Sequence, residues 1–449
     1  MNGVYLAGEK MPSIREVAET LCVSRNTVER AYGQLLVEGY VGCRQRSGYY
    51  VEDFDVEAVA SSLKSPTLWG GDLSDDEEYA EAPDDAIRYD FCYYNPAPEA
   101  FPYNTWRKLT TELLYTSEIR ENNRYGNPFG DTGLRSEIAR FAFESRGVAC
   151  RPGQVIILSG FAEGLDRVLK LFSPDEHAVA FENPCLHVVH AVVRNDRFPA
   201  RPLDVSSPER FLDDLARSRA KLVYVTPSHQ FPTGSTMSLT TRLALLEWAA
   251  ANDAYIVEDD YDSEFRYRTK ATPSLHALDS EDRVIYAGSF SKVLSPSLRM
   301  GYWILPPQLV ERYRACFGVL PSSVPWLNQR ALCQFFAQNH MRQHLRKYLT
   351  LNRKKREALL DACQEVFGGD LELAGVDAGL HMWAHLKGCD DAEGLVRAAR
   401  EAQVAVYSPR DFYYDPSRAD PGAFMIGHSR IAEEDILPGV RRLREAWSR

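Results

Sequence analysis

The sequence predicts an α/β protein in which a helix-turn-helix with a β-wing precedes a large domain built on a covered, mainly parallel sheet. Three observations predict it. Two apolar stripes at helical spacing follow one another between Ser13 and Gly39. A stretch rich in acidic, Ser, Gly and Pro residues interrupts the chain between Glu52 and Asp90. From Tyr89 onward short apolar runs alternate with amphipathic ones, the rhythm of strands covered by helices on both faces.

In the first part Ser13 caps a helix to about Leu21, with Ile14, Val17, Ala18 and Leu21 forming one stripe. Ser24 caps a second, in which Val28, Ala31, Tyr32, Leu35 and Leu36 repeat the stripe up to Gly39. Tyr40-Val41 and Tyr49-Tyr50-Val51 then read as a β-wing around a turn at Gly48. In that geometry Arg25, Asn26 and Thr27 open the second helix and point into a major groove, with Arg44 and Arg46 on the wing.

Between the two parts, the acidic runs Asp75-Asp76-Glu77-Glu78 and Asp84-Asp85 face only Lys64 and Arg88, and the stretch 53–88 reads as a linker. In the large domain the candidate strands are Val155 to Leu158, Ala178 to Phe181, Leu222 to Val225, Tyr255 to Val257, Val284 to Ala287 and Tyr302 to Leu305. Amphipathic stretches such as Leu165 to Phe172 and Thr240 to Ala250 lie between them. The domain runs over 89–449, its last part, from about residue 340, forming a smaller α+β subdomain.

Bulk properties bound the function. The 449 residues, 45% of them hydrophobic, suffice for two or three domains. No apolar run approaches about 18 residues, and Met1 to Ser13 lack a basic-then-apolar order, which points to the cytoplasm and against a membrane partner. Nine cysteines without CxxC or metal-ligand spacing predict reduced thiols and no metal site. A formal charge of −11 excludes a protein that grips nucleic acid with its whole surface, so any DNA contact is local.

Ligands of such sheets gather at the carboxyl ends of strands. Gly288-Ser289-Phe290-Ser291-Lys292 follows one candidate strand, with Arg299 seven residues beyond the lysine, and Glu258-Asp259-Asp260-Tyr261 follows another. A lysine can form a Schiff base with an aldehyde, a carboxylate can hold a pyridine nitrogen protonated, and serine with guanidinium clamps phosphate.

The wording of both parts carries a resemblance. Met-Pro-Ser-Ile-Arg-Glu-Val-Ala from Met11, Val-Ser-Arg-Asn-Thr-Val from Val23 and Glu-Gly-Tyr-Val from Glu38 resemble the GntR family of winged-helix regulators. That resemblance implies DNA contacts at Arg15, Arg25, Thr27 and the Ser47-Gly48 wing tip, with Ser24 and Asn26 beside them. Such domains begin with a full helix that Met1 to Lys10 can supply only in shortened form, and Glu29 stands where some relatives carry a basic residue.

The segment from Ser289 to Gly301 resembles the cofactor-lysine segment of fold-type I aminotransferases. The resemblance implies pyridoxal 5'-phosphate on Lys292 as an internal aldimine, Asp259 on the pyridine nitrogen, Tyr261 on the phenolic oxygen, and Ser289 with Arg299 on the phosphate. Gly160-Phe161-Ala162 matches the turn whose backbone N–H groups cradle that phosphate. Tyr125, in Tyr125-Gly126-Asn127-Pro128-Phe129-Gly130, matches a residue that reaches the neighbouring subunit's phosphate, which implies a homodimer. A winged helix joined to this fold, with Thr226-Pro227-Ser228-His229-Gln230-Phe231-Pro232-Thr233-Gly234, is similar to the MocR subfamily. That subfamily implies a regulator that senses a small amine, an amino acid or vitamin B6.

Three departures bear on chemistry. Leu186 stands where relatives stack an aromatic ring on the cofactor, Phe161 where a hydroxyl residue is usual, and Met425 where an arginine grips the substrate carboxylate. Arg430 lies too far along that strand to inherit the arginine's role. The basic helix with Arg342, His344, Arg346, Lys347, Arg353, Lys354, Lys355 and Arg356 reads either as a solvated face, with Met341, Leu345, Leu349 and Leu359 inward, or as an auxiliary DNA contact.

Two principal functions remain open from sequence. One is a ligand-responsive, DNA-binding transcription regulator, the other an active aminotransferase with a vestigial DNA-binding segment. A regulator that has lost its cofactor is a third.

Overall fold

The computed structural model describes residues 5–44, 47–53, 87–116, 125–267 and 272–448. The stretch read as a linker lies almost wholly outside the described residues, as does Arg46. The chain divides into two compact units, Met1–Asp84 and Asp85–Arg449.

In the first unit, helix α1 (Ile14–Thr20) starts at a capping box: Ser13 Oγ accepts from Glu16 N at 3.2 Å, and the Glu16 carboxylate accepts from Ser13 N at 2.7 Å. Helix α2 (Arg25–Val37) starts where Ser24 Oγ accepts from Thr27 N. Ala18, Val28 and Tyr32 form the core between them, and Tyr32 Oη donates to the Pro12 carbonyl at 3.0 Å. Strands β1 (Val41–Arg44) and β2 (Gly48–Val51) pair antiparallel, with Gly48 at φ +109°, a conformation only glycine adopts freely.

The shortened first helix does not form over residues 5–10. Gly8 N donates to Val51 O, Val51 N to Glu9 O, and Met11 N to Tyr49 O, so this segment lies along β2 as an extra edge of the wing. A left-handed Gly8 and Pro12 bracket a stretch too short to nucleate a helix.

The second unit is built on a seven-stranded sheet of order β4-β10-β9-β8-β7-β5-β6. Its strands are β4 (Val155–Leu158), β5 (Ala178–Asn183), β6 (Ala200–Asp204), β7 (Ala220–Val225), β8 (Tyr255–Asp259), β9 (Val284–Ser289) and β10 (Gly301–Ile304). All pair in parallel except β10, which is antiparallel to both its neighbours. Six match the apolar runs. Strand β6 is new: its Arg201 and Pro202 are exposed, which an edge position tolerates.

Alternation along these strands builds a core on each face. Ile156, Leu158, Val257, Ala287 and Trp303 belong to one, and Val155, Ile157, Tyr286, Tyr302 and Ile304 to the other. A third core fills the smaller subdomain around the antiparallel strands β11 (Leu371–Ala374), β12 (His381–Leu386) and β14 (Ala423–Gly427). Here β13 (Val404–Ala405) pairs in parallel with β3 (Tyr89–Asp90), so the domain's first residues are tied into this last part.

The helix His340–Phe367 joins two cores, Met341 and Tyr348 packing under the large sheet and Leu359, Cys363 and Phe367 in the small one. Lys355 and Arg356 do not belong to a solvated face. Both are buried, Lys355 donating to Ser429 O and Arg356 Nε to Val376 O with its guanidinium over the Tyr267 ring. Their long apolar stems make such burial feasible once the charged head finds carbonyls.

Candidate functional site

Strands β8 and β9 end side by side, and their last residues define the pocket. The two neighbours at the end of β8 turn to different partners. Asp259 accepts from Tyr224 Oη at 2.9 Å, whereas Asp260 takes Arg146 Nε at 2.5 Å and Tyr286 Oη at 2.7 Å. Burial pushes the Asp259 carboxyl up to about 7, aided by the nearby Asp260 and Asp262 against the Tyr224 hydrogen bond. Burial acts on Asp260 too, but the Arg146 guanidinium holds it below the usual range. Asp260 is thereby a fixed anchor and Asp259 a buried carboxyl suited to a cationic partner.

The turn after β9 brings in Lys292. Its Nζ donates to the Tyr94 carbonyl at 2.8 Å. Desolvation lowers its pKa against the pull of Asp262, Cys92 and Asp259, so a neutral, nucleophilic amine is more accessible than on a surface lysine. Ser289 Oγ accepts from Ser291 N at 3.1 Å within that turn.

At the other end of the pocket, β4 runs into the helix Phe161–Leu169, whose N-cap Gly160 has φ +139° and supplies no side chain. A Cβ on Gly160 would lie 3.0 Å from Arg299 Nη2, so a guanidinium stands directly against an uncapped helix N-terminus. Backbone N–H groups of Phe161 and Ala162 beside a guanidinium suit a phosphate dianion. Phe161 itself turns inward, stacked on Trp303 at 5.7 Å and near Tyr224 at 5.5 Å, so the missing hydroxyl is replaced by a floor contact.

The opposite wall holds Tyr261, whose Oη donates to His229 O at 3.1 Å and lies 3.0 Å from His229 Nδ1. Leu186 packs with Phe231, Phe412 and Met425, and Met425 is fully buried. Arg430 turns to Asp90 at 3.1 Å. Tyr125 is apart from all of these, 90% exposed in the single chain. Tyr224 and His381 escaped the sequence reading, and His229 stood there only within the Thr226 to Gly234 phrase, without a role. Only Tyr224 had a signal, because residues two apart on β7 share a face and one of them meets the end of β8.

In the winged unit Arg25 and Asn26 are exposed at the start of α2, and Ser24 and Thr27 are tied to each other, Oγ to Oγ1, at 2.8 Å. Arg15 is exposed and pairs with Glu19 at 2.9 Å. On the wing Arg44 lies over the Tyr50 ring at 4.4 Å, and Ser47 Oγ is 2.5 Å from Tyr50 Oη, next to Gly48.

Comparison with known proteins places both units. Residues 1–51 match the family of bacterial regulatory proteins of the gntR type, and residues 93–427 match aminotransferase class I and II. The HTH-type transcriptional regulator YhdI of Bacillus subtilis is 35% identical, over 98% of this chain and 92% of its own. The probable rhizopine catabolism regulatory protein MocR of Rhizobium meliloti is 32% identical over 99% of this chain and 90% of its own. The chain belongs to the MocR subfamily of GntR-type transcription regulators.

With the family come the regulator's DNA-binding winged helix and its cofactor, pyridoxal 5'-phosphate. The α-aminoadipate aminotransferase LysN of Thermus thermophilus, solved with N-(5'-phosphopyridoxyl)-L-leucine, superposes with a TM-score of 0.71 at 27% identity, covering 81% of this chain and 92% of its own. The regulator's own residues fit the group: a desolvated amine at Lys292, a buried carboxyl at Asp259 for a ring nitrogen, and Arg299 against a helix N-terminus for a phosphate. Among the described residues no helix is long and apolar enough to cross a membrane.

Proposed function

We propose that this regulator is a cytoplasmic homodimer that binds a small amine, amino acid or vitamin B6 compound in the Lys292 pocket and changes its hold on DNA in response. In this reading Lys292 carries pyridoxal 5'-phosphate, Asp259 faces the pyridine nitrogen and Tyr261 the phenolic oxygen. Ser289, Arg299 and the backbone of Gly160, Phe161 and Ala162 hold the phosphate, and Tyr125 reaches the phosphate of the other subunit. Bound there, the cofactor supplies an electrophilic carbon and an electron-withdrawing ring.

The chain's own residues do the rest. Tyr94 orients the lysine amine, Arg146 fixes the end of β8 through Asp260, and Tyr224 steadies Asp259. An effector that prefers one of two arrangements of the protein shifts the balance between them by that preference and no more.

The observation that carries this reading is that one chain holds both an exposed Arg25-Asn26-Thr27 helix start and a desolvated Lys292 beside a buried Asp259. On DNA Ser24, Arg25, Asn26 and Thr27, with Arg15 and the wing residues Arg44, Arg46, Ser47 and Gly48, form the contact surface. Mobility-shift titration of the DNA upstream of the gene, with and without pyridoxal phosphate, tests it. A specific complex altered by the cofactor supports the reading, and no specific complex in either state defeats it.

The complete Lys292, Asp259 and Tyr261 set also favours a second reading, an active aminotransferase. Multiple turnovers of an amino acid and oxoacid pair, without specific DNA binding, would establish it.

A further inference from the structure

Along the helix His340–Phe367, Met341, Leu345 and Leu349 recur every four residues, with Arg342 and Arg346 beside them at the same interval. One face of its first turns is therefore an apolar row edged by a basic one. Between that face and the helices Thr132–Arg146 and Trp326–Ala337 lies a cavity of about 530 Å³, within the usual range of small-molecule sites. None of its lining residues belongs to the Lys292 pocket.

The floor is apolar and the rim charged. Phe141, Leu345 and Leu349 are half-buried, packed on the core that holds Tyr286 and Tyr302, and they keep apolar surface toward the cavity. On the rim, Arg140 pairs with Glu137, and Arg342 with Glu144 at 3.2 Å. Arg346 is exposed, and its guanidinium has no acidic partner among the described residues. A chain of net charge −11 thus holds one uncommitted cation over an apolar floor. A single anionic group on a ligand matches it, and a second would meet Glu137 or Glu144.

The same walls touch the turn that carries Lys292. Phe336, 5.3 Å from Phe141 between ring centroids, lies 5.8 Å from Phe290, two residues before the lysine. His344, between Arg342 and Arg346, donates from Nε2 to the Val293 carbonyl at 2.5 Å, one residue after it. Close-packed interiors transmit small displacements, so a body pressed between Phe141 and Leu345 bears on both flanks of Lys292.

We propose that this cavity is a second ligand site, which takes an amphipathic monocarboxylate. Its aromatic or aliphatic body lies on Phe141, Phe336 and Leu345, and its carboxylate takes the Arg346 guanidinium in a bidentate pair. Its binding alters the setting of Lys292 through Phe290 and Val293, whatever the Lys292 pocket itself binds.

The probes 4-phenylbutyrate, 4-phenylbutyramide and butyrate separate body from charge, and none carries an amine able to react at Lys292. Each is titrated into the full-length, cofactor-loaded protein by calorimetry, with the absorbance of the bound cofactor followed in parallel. 4-Phenylbutyrate is expected to bind about tenfold or more tighter than the amide, which lacks the charge-assisted pair. It should exceed butyrate, which lacks the ring, by about tenfold or more. Its binding should also shift the cofactor's absorbance.

Arg346→Glu reverses the charge and Ala337→Trp fills the cavity, both at exposed positions. Each should weaken 4-phenylbutyrate by about tenfold or more, while the absorbance before any ligand matches the parent. Equal binding of acid and amide, absence of binding, or binding that leaves the absorbance unmoved overturns the proposal, and these are read on the parent alone. Binding that survives both substitutions overturns it as well, since the acid then sits elsewhere.

Discussion

Tyr224 donates its phenolic hydrogen to Asp259 across 2.9 Å, while the adjacent Asp260 is clamped by Arg146. Two neighbouring acids therefore do unlike work. One is spent on holding the end of β8, and the other is buried with its pKa raised to about 7, so that its charged form costs stability unless a cation faces it. Function here is maintained against the fold's own preference.

That cost has a sign in pH. Because the folded protein binds the Asp259 proton more tightly than the unfolded chain, whose ordinary value is 3.8, stability falls as pH rises from 3.8 through about 7. Asp259→Asn should then raise the stability of the cofactor-free protein at pH 8 by roughly 1–3 kcal/mol, with the gain vanishing near pH 4. Thermal melts across that range check it. Added pyridoxal phosphate should stabilise the parent more than the variant.

Gly160→Ala places a methyl 3.0 Å from Arg299 Nη2 at a φ of +139° that alanine avoids. Loss of the close approach should weaken pyridoxal phosphate binding by about tenfold or more. Fluorescence titration with the cofactor measures it, and the far-ultraviolet spectrum should be unchanged because the site lies at a helix end.

Tyr125 makes a contrast with Asp259. It is 90% exposed in one chain, so Tyr125→Ala should leave the cofactor-free melting temperature within about 1 °C. In the proposed homodimer it should still weaken cofactor binding. Subunit mixing with Lys292→Ala checks the cross-subunit role: a heterodimer of the two variants has one site with both residues intact, and half the full cofactor complement is expected.

In the winged unit two substitutions separate folding from recognition. Ser24→Ala removes the cap on Thr27 N and should cost about 1 kcal/mol of that unit's stability together with DNA affinity. Arg25→Ala should leave stability within about 0.5 kcal/mol and still lower DNA affinity by about tenfold or more. Melting and mobility-shift titrations on the same preparations separate the two.

Most of the site was legible because its residues stand in sequence at the ends of buried strands: Asp259 closes β8, and Lys292 sits three residues past β9. What escaped was set by long-range packing. His381 joins the pocket from the small subdomain, and no local pattern links residue 381 to Lys292. Strand β6 was hidden because an edge strand need not be apolar on both faces, and Arg201 and Pro202 broke the pattern. Lys355 and Arg356 were misread by charge alone, since their burial depends on the Ser429 and Val376 carbonyls, far along the chain. The segment before α1 misled because the wing offered its backbone a partner that a lone helical turn could not match.

The central claim is that the Lys292 pocket governs how the winged helices hold DNA. The direct measurement is the affinity of the full-length protein for its upstream DNA, with and without pyridoxal phosphate, for the parent and for Lys292→Ala. The account requires a cofactor-dependent change in the parent's affinity and its loss in Lys292→Ala, with both proteins equally folded. A parent affinity indifferent to the cofactor, or a variant that responds as the parent does, would contradict it.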